Sequence, residues 1–420
     1  MRYAAPRGTA DVLPRESPKW QYVESKFRDV CLLYGYNELR TPTFEETELF
    51  ARSIGQHTDI VSKEMYTFLD RGERSMTLRP EGTAPIVRAY LQHSLFGEMP
   101  VTKVHYVASI FRYERPQAGR FREHHQVGVE ALGSQDPAID AEVISLLMQY
   151  LTSLGLQGLE LKINSVGCPE CRPGYREALR KAVEPYLAEL CGNCQTRYDA
   201  NPLRMLDCKV PGCRELTVNV PDIADHLCEE CSGHLGSVLR YLELLGIGYV
   251  LDPRLVRGFD YYTKTAFEVA SSHLGSQNAV GGGGRYDGLV EEMGGQPTPG
   301  VGFGSGIERT LAIMEAQGIE TPDTARPDIF VATLGEGSRE AGIRLVADLR
   351  RAGIAAETDY SGKSLKAQMK AAGREQARFT AIIGDDEMSR GLAKLRNMET
   401  REETDVPLDQ AVEKIRRLLA

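Results

Sequence analysis

From Phe111 to Glu130 the chain reads FRYERPQAGRFREHHQVGVE, and its period-two alternation predicts the two antiparallel strands of a hairpin. On the second arm Phe121, Val127 and Val129 share one face, and Arg122, His124, Gln126, Gly128 and Glu130 share the other. The first arm sets Val107 and Phe111 against Arg112 and Glu114, with the turn expected over Arg115, Pro116, Gln117, Ala118 and Gly119. Alternation ordinarily reports one solvated face. This polar face differs, because arginines suited to phosphate or carboxylate stand beside a Gln and a Glu suited to a small polar ligand. The segment therefore predicts a sheet that grips an anion and a second, smaller group.

With 420 residues, 42% hydrophobic and 26% charged, the chain has room for two or three domains with their own cores. No apolar run reaches membrane length, which excludes a spanning helix. The opening MRYAAPRGTADVLP lacks the apolar stretch of a secretory signal, so the expected location is the cytoplasm. A formal charge of −9 argues against a general nucleic-acid coat but permits a specific RNA contact through a local basic patch.

Periodicity predicts a helix over 17–34, an extended segment through Pro42, a second helix over 45–53, and a strand-to-helix junction at Thr77–Thr83. The hairpin at 104–132 follows, then a helix over 136–154. Strands are expected at 249–251 and 265–270, and Gly281–Gly288 reads as a flexible turn. Gly302–Gly306 leads into a helix at Ile307. Beyond Pro327, β-rich stretches at 328–333, 354–358 and 379–383 alternate with amphipathic helices at 338–351 and 364–375, the pattern of a small mixed or parallel sheet.

From Leu159 to Gly246 the pattern breaks, and short helices are interrupted by Gly, Pro and cysteine. Eight of the nine cysteines lie here, as Cys168-x-x-Cys171, Cys191-x-x-Cys194, Cys208-x4-Cys213 and Cys228-x-x-Cys231. Such pairs suit zinc, since two thiolates so spaced fit one tetrahedral ion and eight would serve two. Small buried thiols filling a compact insertion are the other reading, and both stay open. A disulfide framework does not suit a reducing compartment.

Four dispersed segments carry the chemistry: Arg79-Pro80-Glu81-Gly82-Thr83, the hairpin, Arg257-Gly258-Phe259-Asp260-Tyr261-Tyr262, and Gly302 to Arg309. Singly, each reads as surface arginines, glycine turns or packing. Together Arg112, Arg120, Arg257 and Arg309 supply the positive charge a triphosphate needs, and glycines let backbone approach it. No phosphate-binding Gly-x4-Gly-Lys loop or dinucleotide fingerprint is present, so the expected nucleotide site is built on a sheet.

In these segments the chain resembles the histidyl-tRNA synthetases, class II aminoacyl-tRNA synthetases of the bacterial type, over essentially its whole length. RGTADVLP resembles their opening, the segment around Pro42 their motif 1, Phe111–Glu130 motif 2, and Gly302–Arg309 motif 3. LVRGFDYYTKTAFE and GGGGRYDGL resemble the two segments peculiar to the histidine enzymes, and with LRPEGTA they make the likeness specific. It implies an α+β catalytic domain over 1–322, an antiparallel sheet flanked by helices and interrupted by the cysteine-rich insertion at 165–245. An α/β anticodon-binding domain is implied over 326–420.

The implied reaction joins L-histidine and ATP into histidyl-adenylate, then transfers histidine to the 3′ end of tRNA(His). The implied catalytic residues are Arg257 and Arg112. Histidine would be bound by Glu81, Gly82, Thr83, Arg112, Gln126, Glu130, Arg257, Tyr261 and Tyr262, and ATP by Arg112, Glu114, Arg120, His124 and Arg309, with Mg2+ neutralising the phosphates. His124 stands where the family carries Phe, the adenine-stacking position, so some pH dependence of nucleotide binding is expected there. The implied partners are tRNA(His), L-histidine, ATP and a second copy in a homodimer, with no membrane. An editing domain is unnecessary, and the insertion is expected near the acceptor arm of the tRNA.

The principal rival is a non-charging regulatory paralogue of the ATP phosphoribosyltransferase complex. Such proteins typically lack the C-terminal domain and parts of the motif set, whereas residues 326–420, Arg112, Arg257 and Arg309 are all present here. Another class II synthetase would lack RGFDYY. A derived RNA-binding or signalling protein would not need the complete phosphate-binding set.

Overall fold

The computed structural model describes residues 3–55, 58–97, 99–115, 120–274, 278–321 and 326–419, in two compact units, Met1–Thr321 and Pro322–Ala420. An eight-stranded sheet organises the first. Its order is Asn37–Glu38, Thr102–Phe111, Glu123–Leu132, Gly300–Gly306, Ala279–Arg285, Thr263–Ser271, Leu159–Ser165 and Val250–Leu251. The six inner strands pair antiparallel, and a short parallel strand finishes each edge.

The hairpin forms as expected, with Val107 opposite Val127 and Phe111 opposite Glu123. Its turn residues Pro116–Gly119 lie outside the described residues. Two details of the reading are corrected. Phe121 does not share the Val127 face, because the second strand begins at Glu123 and Phe121 lines the pocket instead. Arg112 and Glu114 lie past the end of the first strand, whose Val104, Tyr106, Ala108 and Ile110 are buried against Ile86 of the helix Thr83–Gln92. Both faces of this arm are therefore covered.

Behind the sheet Val127, Val129, Phe267, Val269, Val301 and Phe303 pack on three helices, Ser17–Leu33, Pro137–Ser153 and Ile307–Ala316. Val23, Phe27 and Val30, the apolar stripe of the first of these, are fully or nearly fully buried, as a period near 3.6 requires. This face is the main core.

Gly281–Gly284 do not form a flexible turn. They are a central strand, paired with Gly300–Gly306 on one side and Thr263–Ser271 on the other. Glycine is needed here for approach: a Cβ on Gly283 would collide with the backbone of Gly302. The adjoining Arg285 is wholly buried and donates to Asp140, to Asp287 at 3.0 Å and to the carbonyl of Ser134 at 2.9 Å. Burial alone would raise the pKa of Asp140, but His234 and Arg285 hold it below the ordinary value.

The second unit is a five-stranded mixed sheet in the order Ala356–Thr358, Ile329–Thr333, Phe379–Ile383, Leu392–Asn397 and Glu403–Pro407. The first three are parallel and the last two antiparallel, with helices at Glu336–Arg351, Leu365–Arg374 and Ala411–Leu419. Among the described residues no helix is long and apolar enough to cross a membrane.

Candidate active site

A cavity of about 630 Å³ opens on the free face of the large sheet, within the range of roughly 300–1,000 Å³ usual for small-molecule sites. It is bordered by Glu81, Gly82, Thr83, Arg112, Glu114, Arg120, His124, Gln126, Arg257, Tyr261, Tyr262 and Arg309. Residues more than two hundred positions apart thus reach one space. Glu130 is the exception among the expected site residues. It lies just behind the wall, 1% exposed, and does not border the cavity.

One end is closed and polar. Glu81 accepts from the backbone N–H groups of Thr83 at 2.9 Å and Ala84 at 2.6 Å, where the helix Thr83–Gln92 begins, and from the Tyr261 hydroxyl at 3.3 Å. Unpaired N–H groups at a helix start solvate a carboxylate well. Glu130 accepts from Thr83 Oγ1 at 2.7 Å and from the Tyr286 hydroxyl. Burial pushes its pKa up to about 8, against the pull of Tyr286 and Thr83. Glu81 is also raised by burial, opposed by its backbone donors. Phe259, Tyr261 and Tyr262 form an aromatic wall, with Phe259 stacked on Tyr261 at 5.1 Å and Tyr261 tilted against Tyr262 at 4.7 Å.

The other end is cationic. Arg112 donates to the Pro80 carbonyl at 2.8 Å and lies 5.5 Å over the Phe259 ring. Arg257 donates to Glu268 at 3.0 Å with its guanidinium 5.9 Å over Tyr262. Arg309 donates to the Ala279 carbonyl at 2.8 Å, and Arg120 lies 3.2 Å from Glu114. Burial, with Arg120 close by, pushes the Arg309 pKa below its ordinary value. These cations disfavour one another, and an anion among them relieves the cost.

Glycines pave the floor between the two ends. A Cβ on Gly302 would collide with the Glu130 carboxylate and one on Gly304 with the Gln126 amide, while one on Gly282 would come within 2.9 Å of Arg257. Long side chains can therefore lie flat over the sheet where a branched neighbour would displace them.

His124 borders this end. Burial, then Arg112 and Arg309, push its pKa down to about 3, which favours the neutral ring in the empty site. That direction weighs against the pH dependence expected from His124. Its neighbour His125 is tied instead to Glu308, at 2.9 Å from ring to carboxylate and 2.8 Å from its backbone N–H. That link fixes the start of the Arg309 helix against the hairpin.

Tyr286, Glu308, Glu268 and Phe259 escaped the sequence reading as site residues. All four lay inside segments already singled out, but nothing local indicated where their side chains would point.

An antiparallel sheet with a glycine-paved face, a buried acidic and phenolic end and an arginine-rich end, followed by a separate mixed α/β unit, defines a class II aminoacyl-tRNA synthetase. A histidyl-tRNA synthetase family model matches residues 8–310, and an anticodon binding domain model matches residues 328–418. The chain belongs to the histidyl-tRNA synthetase family. It is 54% identical over 407 residues to a histidine–tRNA ligase of Desulforamulus reducens, covering 97% of both chains. With a histidine–tRNA ligase of Moorella thermoacetica it shares 52% identity over 418 residues, covering 100% of this chain and 99% of the relative. The crystal structure of the apo histidyl-tRNA synthetase of S. aureus is similar with a TM-score of 0.83 at 41% identity, over 98% of this chain and 99% of that one.

Proposed function

We propose that this cavity activates L-histidine with ATP and that the activated histidine is then passed to tRNA(His). The carrying observation is the pairing of one closed end, where Glu81, Thr83, Tyr261 and the buried Glu130 meet, with an open end lined by Arg112, Arg257 and Arg309. The first suits an amino acid with an imidazole side chain, whose two nitrogens a carboxylate and a phenol read as donor and acceptor. The second suits a triphosphate. The identity with histidine–tRNA ligases across the whole chain supports the same reading over the regulatory alternative.

In this reading a histidine carboxylate oxygen attacks the α-phosphorus, the α–β phosphoanhydride bond breaks, and pyrophosphate leaves with its electron pair. Arg112 and Arg257 stabilise the α-phosphate from two sides, and Arg120 and Arg309 hold the β- and γ-phosphates. Such a displacement depends on position and charge rather than covalent help. The terminal ribose hydroxyl of the tRNA then attacks the carbonyl carbon and AMP leaves. Glu81, Gly82, Thr83, Gln126, Tyr261 and Tyr262 bind histidine, and Glu130 orients Thr83 and Tyr286 from behind. Glu114, at the edge of the cavity, would offer a carboxylate to Mg2+ bound with ATP, which would supply neutralisation of the phosphate charge. His124 stacks on adenine through a neutral ring.

The second unit binds the anticodon, and the enzyme works in the cytoplasm as a homodimer. Phe44 and Phe68, on the two short strands that flank Ser75–Leu78, are 49% and 44% exposed with rings 6.1 Å apart. That apolar face, beside Pro42, is the one a second copy would cover. The eight insertion cysteines are candidate zinc ligands outside the cavity.

Incubating the purified chain with labelled histidine, ATP, Mg2+ and a tRNA(His) transcript tests the reading. Acid-precipitable histidine on the tRNA is expected, and formation of histidyl-adenylate with no transfer would overturn the second step. Sedimentation at micromolar concentration is expected to give twice the chain mass, and a monomer would refute the homodimer.

A further inference from the structure

The insertion holds two clusters of thiols. Cys168, Cys171, Cys228 and Cys231 form one, and Cys191, Cys194, Cys208 and Cys213 the other, with the four sulfurs of each within 4.8 Å of one another. Four thiolates bound tetrahedrally at about 2.3 Å from a zinc ion place their sulfurs about 3.8 Å apart. The separations are 3.6 Å for Cys168 and Cys171, 3.8 Å for Cys168 and Cys228, 3.8 Å for Cys171 and Cys231, and 3.9 Å for Cys191 and Cys208. A disulfide would need about 2.05 Å.

The backbone is shaped to receive these sulfurs. Cys168 N–H donates to Cys171 Sγ, and Cys191 N–H to Cys213 Sγ, each at 3.2 Å. Gly167 sits at φ +68°, and a Cβ there would come within 2.9 Å of Cys171 Sγ. Thiols packed only as small apolar groups require neither feature. Closed four-cysteine sets with no open position are structural zinc sites rather than catalytic ones.

We propose that each cluster binds one zinc ion and that the two ions brace opposite ends of Arg257–Tyr262, the segment that carries the histidine and phosphate contacts. The coupling rests on the function proposed above, whereas the metal content does not. From the first cluster Arg172, next to Cys171, donates to the carbonyls of Tyr262 at 2.6 Å, Val166 at 3.1 Å and Gly167 at 3.1 Å. Glu230, between Cys228 and Cys231, takes the buried Lys264 ammonium at 2.7 Å. From the second, Arg204, between Cys194 and Cys208, donates to the Arg257 carbonyl at 2.8 Å, and the Asn201 amide donates to Asp260 at 2.8 Å. Arg172 and Arg204 are positioning residues, reaching the ligand only through the segment they hold.

Metal analysis of the full chain, purified without added metal or chelator, is expected to find two zinc ions per chain. Cys171→Ser and Cys208→Ser should each retain one. Because those variants can fail to fold, the wild-type protein is also titrated with a mercurial thiol reagent, and two zinc ions should be released as eight thiols react. A native chain with less than one ion, or thiols that react without releasing zinc, overturns the metal sites. Arg172→Ala leaves every thiol in place and should keep both ions while raising KM for histidine about tenfold, with kcat less affected. Unchanged histidine KM in that variant overturns the coupling. Failure of histidine activation with two zinc ions present would refute the function while leaving the metal sites standing.

Discussion

Thr83 donates its hydroxyl proton to Glu130 at 2.7 Å, across 47 residues of sequence. The bond joins the first residue of a helix to the last part of the hairpin's second strand and turns the Thr83 side chain toward the cavity wall. With Tyr286 on the other oxygen, Glu130 has both of its carboxylate oxygens occupied in a fully buried position.

The raised Glu130 pKa, about 8 against an ordinary 4.5, has a sign that can be measured. With that pKa Glu130 would carry a proton in the empty site at neutral pH, one of its two hydroxyl partners then accepting instead of donating, and a cationic group entering the cavity would lower the pKa and expel the proton. Calorimetry at about pH 7 in buffers of different ionisation enthalpy should show close to one proton released per histidine bound, falling away above about pH 8. Stability follows the same sense: the contribution is complete below 4.5 and is lost as the pH rises through about 8. Glu130→Gln should abolish the proton release and weaken histidine binding about 10- to 100-fold. Proton uptake on binding would contradict this account.

Gly304 is expected to be a specificity position although it offers no side chain. Gly304→Ala places a methyl group where the Gln126 amide lies. A displacement of this size should cost about 10²-fold in kcat/KM for histidine while leaving KM for ATP nearly unchanged. Equal losses for both substrates would instead indicate a distorted sheet.

Arg257→Ala should lower the rate of adenylation by about 10²–10³-fold, the usual cost of removing one preorganised contact from a charged transition state. Histidine affinity in the absence of ATP should change far less. Single-turnover formation of adenylate separates the two, and an unchanged turnover would remove Arg257 from the chemistry.

His124, held neutral by burial and by the arginines beside it, should contribute no step to the pH profile of KM for ATP between about pH 5.5 and 8. His124→Phe keeps a flat ring and should leave that profile unaltered. A step near pH 6.5 that disappears in the variant would show the imidazole titrating.

The parts of the site that strand periodicity governs were legible in the sequence. Gln126 and Glu130 share a face because a strand repeats every two residues, and the gathering of Arg112, Arg120, Arg257 and Arg309 in one cavity was readable from their number and their glycine neighbours. What the repeat could not report was depth: Glu130 sits behind the wall because Thr83 and Tyr286 close over it, and Tyr286 arrives from 156 residues away. Gly281–Gly284 read as a turn because glycine favours one locally, yet the close approach of the Gly302 backbone makes a strand of it. The first arm misled for a related reason. Its Val104, Ala108 and Ile110 meet a helix that no alternation within the hairpin could foretell.

ATP–pyrophosphate exchange with a panel of amino acids tests the central claim most directly. Exchange with histidine is expected, with discrimination of about 10⁴–10⁵ against analogues lacking the imidazole nitrogens, as a site built to hydrogen-bond its ligand achieves. Comparable exchange with any other amino acid, or none with histidine, would contradict it.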